Sequence, residues 1–236
     1  MSLKLNANDW QAVAKIIDHT LLKAEATTEQ VARLCDEARE FGFGAVMVNA
    51  CHIAECVSKL QGSDVKVGAV IGFPLGATLT SVKVFEANEC MRRGAREIDM
   101  VMNIGALKSD NRDLVRSDIA AVAEAVHSQK AVLKVILETG LLTDTEKRAA
   151  CEISEKSGAD FVKTSTGFLG GGATAEDVAL MRQTVTIGVK ASGGIRSAAD
   201  ASKMIAAGAT RLGTSSGVAI VRALRGEAAK QPSSSY

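Results

Sequence analysis

Four charged residues stand inside stretches of the sequence that are otherwise apolar. They are Asp99 in Glu-Ile-Asp-Met-Val, Lys134 in Val-Leu-Lys-Val-Ile, Lys163 in Phe-Val-Lys-Thr-Ser and Lys190 in Gly-Val-Lys-Ala-Ser. A charge in a buried parallel strand carries a desolvation cost, so each of these residues needs a reason to be there. The three lysines belong to consecutive predicted strands, and inward-pointing side chains from these strands would converge with Asp99 on one chamber.

Buried lysines of this kind predict covalent chemistry at a carbonyl group. Burial of an ammonium beside a second ammonium lowers its pKa, which releases a neutral amine near neutral pH. A neutral amine can attack an aldehyde or ketone and form an imine, whose protonated nitrogen accepts electrons during carbon–carbon cleavage. A structural ion pair is the alternative for any one lysine, but three lysines and an aspartate together favour an active site.

Further polar residues lie where predicted strands end. In a (β/α)8 barrel the reactive side chains come from the carboxyl ends of the strands, so residues at these positions are candidates for the pocket lining. The candidates are Asp18, Thr20, Asn49, Thr164 and Ser165. For each residue taken alone, the alternative is a hydrogen-bonded loop or cap residue.

Two turns of small residues near the end of the chain predict a phosphate site. Ala-Ser-Gly-Gly-Ile-Arg at 191–196 follows the seventh predicted strand, and Gly-Thr-Ser-Ser-Gly at 213–217 follows the eighth. Backbone amides and a helix N-terminus meet an anion at this corner of many barrels. The candidate ligands are Gly193, Gly194, Ser215 and Ser216, with Gly167 and the run Gly170 to Gly172 as a third wall.

Short apolar runs alternate with amphipathic segments along the whole chain, which is typical of parallel strands joined by helices. The eight predicted strands are Ile16 to Thr20, Ala45 to Asn49, Lys66 to Phe73, Glu97 to Asn103, Ala131 to Glu138, Phe161 to Thr166, Thr186 to Ser192 and Arg211 to Ser215. With an extra N-terminal helix over Asn8 to Lys15, they predict a single-domain (β/α)8 barrel over residues 1–236. An open doubly wound sheet is the alternative, but eight units and no GxGxxG turn after the first strand favour closure.

Helix signals agree with this division of the chain. Capping pairs at the first and fourth positions mark four helix starts, and a glycine stands at four expected helix ends. The pairs are Thr27 with Gln30, Thr143 with Glu146, Thr174 with Asp177 and Ser197 with Asp200, and the glycines are Gly42, Gly94, Gly158 and Gly208. The residues Val31, Leu34, Cys35, Ala38 and Phe41 form one apolar stripe on the helix after Thr27,.

Composition narrows the class of protein. The chain has 28 basic and 27 acidic residues without a long run of either sign, so we expect neither a nucleic-acid nor a membrane partner,. Five scattered cysteines, an odd number, argue against a disulfide framework, and no stretch is predicted to be a signal or a membrane span,. The three histidines lack metal-site spacing. We therefore expect a cytoplasmic enzyme with a small-molecule substrate and no metal.

Six motifs, in order and spread over the chain, resemble those of the class I deoxyribose-phosphate aldolase family. They are Ile-Asp-His-Thr-Leu-Leu-Lys (17–23), Gly-Phe-Pro-Leu-Gly (72–76), Glu-Ile-Asp-Met-Val-Met-Asn-Ile-Gly (97–105), Leu-Lys-Val-Ile-Leu-Glu-Thr (133–139), Phe-Val-Lys-Thr-Ser-Thr-Gly-Phe (161–168) and Val-Lys-Ala-Ser-Gly-Gly-Ile-Arg (189–196). The resemblance implies reversible cleavage of 2-deoxy-D-ribose 5-phosphate to D-glyceraldehyde 3-phosphate and acetaldehyde, without a cofactor.

The resemblance also implies roles for individual residues. Lys163 would form the imine, Lys190 would depress its pKa, and Asp99 would shuttle protons with Lys190 and a water molecule. Phosphate contacts would come from Gly167, Gly193, Gly194, Ser215 and Ser216. Phe168 is a departure, because some relatives have a lysine there, and Arg196 could compensate for the missing cation.

The C-terminal tail and the assembly are further expectations from the resemblance. Residues 230–236 are expected to be flexible, and Tyr236, the only tyrosine, would fold into the pocket and assist proton transfer,. A homodimer is expected. Two other functions remain open, namely a transaldolase-like enzyme that forms an imine with a longer ketose phosphate, and a non-catalytic sugar-phosphate sensor.

Overall fold

Eight parallel strands form a closed barrel in the computed structural model, which describes residues 6–227. Each strand pairs with the next along the chain, and the last pairs with the first. The strands are β1 (Ile17–Leu21), β2 (Ala45–Val48), β3 (Lys66–Ile71), β4 (Glu97–Val101), β5 (Val132–Ile136), β6 (Phe161–Lys163), β7 (Gly188–Ser192) and β8 (Arg211–Thr214). The predicted (β/α)8 barrel is confirmed.

Ten helices accompany the strands in this part of the chain. They are α1 (Trp10–Lys15), α2 (Thr28–Phe41), α3 (Ile53–Lys59), α4 (Thr80–Arg92), α5 (Ile104–Lys108), α6 (Arg112–Ser128), α7 (Asp144–Lys156), α8 (Ala175–Thr184), α9 (Ala198–Ala206) and α10 (Gly217–Leu224). The predicted extra helix is α1, which buries Val13 and Ala14 and packs against α10. Between residues 6 and 227, the helices lack the combination of length and hydropathy that crossing a bilayer requires.

The helix ends follow the capping chemistry of the sequence. Reciprocal capping boxes begin α2, α7 and α9, at the three predicted pairs that start with Thr27, Thr143 and Ser197,. The fourth predicted cap, Thr174, accepts a hydrogen bond from the backbone N–H of Asp177. All five residues of the predicted apolar stripe on α2 are buried against the barrel.

Every predicted strand exists, but most of them end earlier than predicted. The predicted third, fourth and sixth strands continue to Phe73, Asn103 and Thr166, whereas β3, β4 and β6 stop at Ile71, Val101 and Lys163. After β6 the chain leaves the strand ladder, and residues 166–168 line a pocket at this end of the barrel. The overlong prediction for the sixth strand therefore falls on a loop of the pocket wall.

The inside of the barrel is divided between an apolar and a charged half. Leu22, Met47 and Val70 form a separate apolar cluster with Phe73 on the side of β1 to β3. The opposite side, from β4 through β8 to β1, carries acidic and basic side chains that are buried from solvent. This division concentrates the charges on one wall of the barrel.

Candidate active site

Strand register aims the predicted charged residues at one another. Asp99 on β4 is paired with Lys134 on β5, and Lys163 on β6 is paired with Lys190 on β7. Residues in register on parallel strands project to the same face of the sheet. Both pairs project into the barrel, where all four residues are 3% exposed or less.

The carboxylate of Asp99 contacts all three lysines. Its Oδ2 accepts hydrogen bonds from Lys163 Nζ at 2.8 Å and from Lys190 Nζ at 2.7 Å. Its Oδ1 accepts one from Lys134 Nζ at 2.9 Å. The structure therefore brings together the four residues that the apolar strands carry.

A second layer of charge lies toward the amino-terminal end of the barrel. Asp18 accepts hydrogen bonds from Lys190 Nζ and, at 2.5 Å, from Arg211 Nε. Glu97 accepts from Arg211 at 2.7 Å and from Lys134 Nζ at 2.6 Å. The sequence did not predict Arg211 and Glu97 as members of the cluster, because both stand at strand starts, where charged residues commonly face solvent.

The net charge of the cluster is zero only when one of its lysines is neutral. It holds three carboxylates and four basic side chains, namely Asp18, Glu97, Asp99, Lys134, Lys163, Lys190 and Arg211. Among the four cations, Lys163 has a single carboxylate partner, whereas Lys134, Lys190 and Arg211 each have at least two. Electrostatics thus selects Lys163 as the residue that loses its proton most readily.

The pKa of Lys163 is lowered from 10.5 to about 8. Burial is the largest cause, since it disfavours the charged ammonium, and the positive charge of Lys190 acts in the same direction,. Asp99 opposes both effects. The sequence argument stressed the neighbouring cation, and the structure gives burial the larger share.

The pKa values of Asp99, Asp18 and Lys134 shift in the direction that keeps these side chains charged. Burial by itself would raise the pKa of Asp99, but the three lysines outweigh it and hold that pKa well below its usual range. The pKa of Asp18 is also lowered, because Lys190, Lys134 and Arg211 outweigh the effect of burial. The pKa of Lys134 is raised, since three carboxylates outweigh its burial.

A pocket of about 390 Å³ opens at the carboxyl ends of the strands, with Lys163 in its lining. Its wall consists of residues 20–23 at the end of β1, residues 166–168 after β6, residues 192–196 at the end of β7 and residues 213–215 at the end of β8. Of the predicted site residues, Thr20, Gly167, Gly193, Gly194 and Ser215 line this pocket beside Lys163. The side chains of Lys23 and Arg196 add positive charge to the same wall.

Backbone packing explains the glycines on the far side of the pocket. Gly193 has φ +90°, and a Cβ there would lie 3.0 Å from the Cα of Gly172. The N–H of Ala173 donates to the carbonyl oxygen of Gly193 at 2.9 Å, which ties the two loops together. This contact leaves a wall of bare backbone at the corner where the sequence predicts a phosphate.

Several predicted site residues lie outside the pocket lining. Asn49 donates to the carbonyl oxygen of Leu22 at 3.1 Å, and Thr164 exchanges hydrogen bonds with the backbone of Ser192. Ser216 donates its N–H to the hydroxyl of Thr214 at the start of α10. Lys134, Asp18, Asp99 and Lys190 lie in the charge cluster and do not line the pocket, and Tyr236 lies outside the described residues with the rest of the tail at 230–236.

Phe168, the predicted departure from the family pattern, lies in the pocket lining. It is half exposed and packs edge-on against Phe73, with ring centroids 5.1 Å apart. Within residues 6–227, no three His, Cys, Asp or Glu side chains are grouped so that they could hold a metal ion.

Comparison with known proteins agrees with this geometry. A model described as DeoC/LacD family aldolase matches residues 12–224. A deoxyribose-phosphate aldolase of Streptococcus gordonii is 61% identical over 210 residues, 88% of this chain and 94% of the relative. One of Lysinibacillus sphaericus is 58% identical over 216 residues, 91% and 96% of the two chains. The tetrameric deoxyribose phosphate aldolase of Aeropyrum pernix is 35% identical, with a TM-score of 0.86 and 92% of each chain covered. The chain belongs to the DeoC/LacD family of aldolases, and it is a carbon–carbon lyase.

Proposed function

We propose that the protein cleaves 2-deoxy-D-ribose 5-phosphate reversibly to D-glyceraldehyde 3-phosphate and acetaldehyde through an imine on Lys163. One observation carries the proposal: a buried amine with a lowered pKa lines a pocket whose far wall suits a phosphate. With a pKa of about 8, about one tenth of the Lys163 side chains are neutral at pH 7,. That fraction is enough for nucleophilic attack.

In the forward direction the Lys163 amine attacks the C1 aldehyde of the open-chain sugar, and water leaves to form the iminium. A base removes the proton of the C3 hydroxyl. The electron pair of the O–H bond then forms the carbonyl group of glyceraldehyde 3-phosphate. The C2–C3 bond breaks, and its electron pair moves into the C1–C2 bond of an enamine. Protonation at C2 and hydrolysis then release acetaldehyde and restore the free amine.

Asp99 and Lys190 are proposed to move the protons. One oxygen of Asp99 accepts hydrogen bonds from both Lys163 and Lys190. When one of these nitrogens releases a proton, uptake of a proton by the other can restore the charge of the group. The Asp99 carboxylate stays ionised across the physiological range, because its pKa is held well below the usual value. We propose that this carboxylate orients the groups that move protons, with Lys190 as the donor, a water molecule as carrier and Tyr236 as an assisting residue.

The phosphate is proposed to lie against Gly167, Gly193, Gly194, Ser215 and Ser216. Four of these residues line the pocket, and Ser216 follows directly at the start of α10. Since Phe168 supplies no charge, Arg196 is the cation of the wall that we expect to face the phosphate,.

The remaining predicted residues receive indirect roles. Thr20 lines the pocket and can contact the sugar directly. Lys134 and Asp18 are proposed to hold Asp99 and Lys190 in place by charge. Asn49 and Thr164 bind backbone groups, so they are proposed to shape the loops that surround the substrate.

Reductive trapping tests the proposal. Acetaldehyde and borohydride should add one ethyl group to the peptide that contains Lys163 and should abolish turnover. The Lys163→Arg variant keeps the charge but should gain no ethyl group, and its activity should fall by at least about a thousandfold. Labelling of Lys134 or Lys190 in the native protein would contradict the assignment. A higher rate with fructose phosphates would favour the transaldolase-like alternative.

Dimer formation and a cytoplasmic location are proposed from family resemblance. The Aeropyrum pernix relative is described as a tetramer, so a tetramer is the state to be distinguished from the proposed dimer. Sedimentation of the full chain over a range of concentrations distinguishes a dimer from other states.

A further inference from the structure

A buried glutamate beside the pocket has no role in the chemistry described above. Glu138 follows β5 and is fully buried, and its backbone has φ 56° and ψ 63°, in the left-handed region. This conformation is unfavourable for a residue with a side chain, and it persists only where the surroundings determine it. We therefore asked what Glu138 contacts.

Both hydrogen bonds that the Glu138 carboxylate accepts come from one residue of the pocket wall. Its Oε2 accepts from the backbone N–H of Thr166 at 3.1 Å and also from the Thr166 hydroxyl. The same hydroxyl accepts the N–H of Phe168 at 3.1 Å. The hydrogen bonds from Glu138 through Thr166 to Phe168 thus fix residues 166–168 in the loop that follows β6.

The backbone on either side of Glu138 is attached to the same segment. The N–H of Leu137 donates to the carbonyl oxygen of Lys163 at 2.9 Å, and that of Thr139 donates to Thr164 at 3.0 Å. Glu138 stands between these two bonds, so its left-handed backbone turns the carboxylate toward Thr166. Its second oxygen, Oε1, has no hydrogen-bond partner among residues 6–227.

We propose that Glu138 is a positioning residue that holds residues 166–168 in the shape that binds the substrate phosphate. The inference rests on the proposed function, because it takes the phosphate of that substrate as the ligand of the loop. Gly167, with φ +84°, is the centre of this loop and lines the pocket between two residues that the Glu138 chain restrains. No basic side chain between residues 6 and 227 forms an ion pair with Glu138. A buried carboxyl group without such a partner is costly, and a role in shaping this wall accounts for its presence.

The inference predicts an effect on phosphate binding and little effect on the covalent steps. In the Glu138→Asn variant the shorter side chain no longer reaches Thr166, while asparagine tolerates the left-handed backbone. We expect its KM for deoxyribose 5-phosphate and its Kd for inorganic phosphate to rise about tenfold or more. The kcat, and kcat/KM for unphosphorylated 2-deoxyribose, should change less than about threefold. Glu138→Gln keeps one acceptor oxygen, so it should restore most of the phosphate affinity.

Glu155 provides a matched control at the opposite end of the barrel. Its Oε1 accepts hydrogen bonds from Thr186 N–H, Thr186 Oγ1 and Ile187 N–H, before β7 begins. Glu155→Ala should lower the Tm but leave the KM and the phosphate Kd unchanged.

Equal losses for both sugars, or a fall in kcat with an unchanged phosphate Kd, would overturn the inference. If the wild-type protein fails to cleave deoxyribose 5-phosphate, the proposed function fails, and the phosphate Kd still tests the role of Glu138. If the wild-type protein does not bind inorganic phosphate, the proposed role of Glu138 in phosphate binding is overturned too.

Discussion

At the scale of single residues, the site depends on an amine that differs from its neighbours in the number of its partners. Lys163 has one carboxylate within hydrogen-bond distance, while Lys190 has two and Lys134 has two with a third at 3.7 Å. All three are buried, so burial alone would not distinguish them. The distribution of Asp99, Asp18 and Glu97 around them decides which lysine can be neutral.

We predict that kcat/KM falls about tenfold for each pH unit below about 8, the pKa of Lys163,. In the Lys190→Met variant, this acid limb of the kcat/KM profile should move to higher pH. The substitution removes a repelling cation and leaves Asp99 with one lysine fewer, and both changes favour the Lys163 ammonium,. A pH profile of kcat/KM for each protein measures the shift. A limb that stays in place or moves to lower pH would show that Lys190 does not act on Lys163 by charge.

The sequence predicted the residues at the centre of the charge cluster better than the residues that surround them. Asp99 and the three lysines interrupt apolar runs, and the desolvation cost makes such residues conspicuous. Arg211 and Glu97 open their strands, and Glu138 closes a predicted strand, so all three resemble ordinary exposed ends. Their burial depends on the closure of the barrel around them, which no local pattern contains.

At the scale of elements, the strands and helices followed from periodicity and capping, and the rim loops did not. The Thr27, Thr143 and Ser197 boxes are local interactions that span four residues, so the sequence contains all of their parts. The segment after Lys163 is different. It leaves the strand because Thr166 binds Glu138, which is 28 residues away along the chain.

Close packing between neighbouring strands gives a prediction for Gly213 on β8. A Cβ there would lie 2.9 Å from the Cβ of Ser192 and 3.0 Å from the Cε of Lys190. Gly213→Ala should displace Lys190 and lower kcat by about tenfold to a hundredfold, since small misplacements of catalytic groups are costly. Steady-state kinetics at saturating substrate measure the loss.

Gly68 on β3 is the control for this substitution. A Cβ at Gly68 would lie 2.5 Å from the terminal methyl group of Met47, which is the mobile end of a flexible side chain in the apolar half of the barrel,. Gly68→Ala should change kcat by less than about threefold. Equal losses in the two variants would mean that alanine harms the barrel in general, with no specific effect on Lys190.

Outside the barrel, a buried ion pair joins α4 to α6. Lys83 Nζ contacts Asp118 Oδ2 at 2.5 Å, with 0% and 2% of the two side chains exposed, and the other oxygen of Asp118 has no hydrogen-bond partner in the described part of the chain. Lys83→Met should lower the free energy of unfolding by about 3–5 kcal/mol, because it strands a buried charge. Lys83→Met with Asp118→Leu should cost less than Lys83→Met alone. Urea titrations of both variants test this, and a double variant less stable than the single one would refute it.

At the scale of the whole molecule, the charged side chains inside the barrel affect the stability of the fold in opposite directions. Lys163 is held in an environment that disfavours its ammonium, as the lowered pKa shows. Asp18 and Asp99 have the opposite property, because their lowered pKa values favour the folded state wherever they are ionised,. That contribution is complete above about pH 4 and is lost as the pH falls below it. Acid should therefore unfold the protein through these carboxylates.

Lys163 should have a separate signature at alkaline pH. Its pKa is about 8 in the folded chain and 10.5 as the ordinary value, so below pH 8 the folded state bears the full cost of the buried ammonium. Between these values the unfolded state binds more protons, and the free energy of unfolding should rise with pH by roughly 3 kcal/mol in total. The raised pKa of Lys134 does not affect this pH range, because its contribution to the free energy of unfolding is lost only above pH 10.5.

Replacing Lys163, the proposed nucleophile, should therefore stabilise the protein. Lys163→Met should raise the free energy of unfolding at pH 7 by on the order of 1–3 kcal/mol and should flatten the rise between pH 8 and 10.5. Lys190→Met is the control, because it deprives Asp18 and Asp99 of a cation and should destabilise the protein by about 3–5 kcal/mol,. Urea unfolding at several pH values from 7 to 10.5 measures both variants. If Lys163→Met destabilises the protein as Lys190→Met does, the Lys163 ammonium is stabilised in the fold, and the neutral nucleophile on which the imine depends is not available.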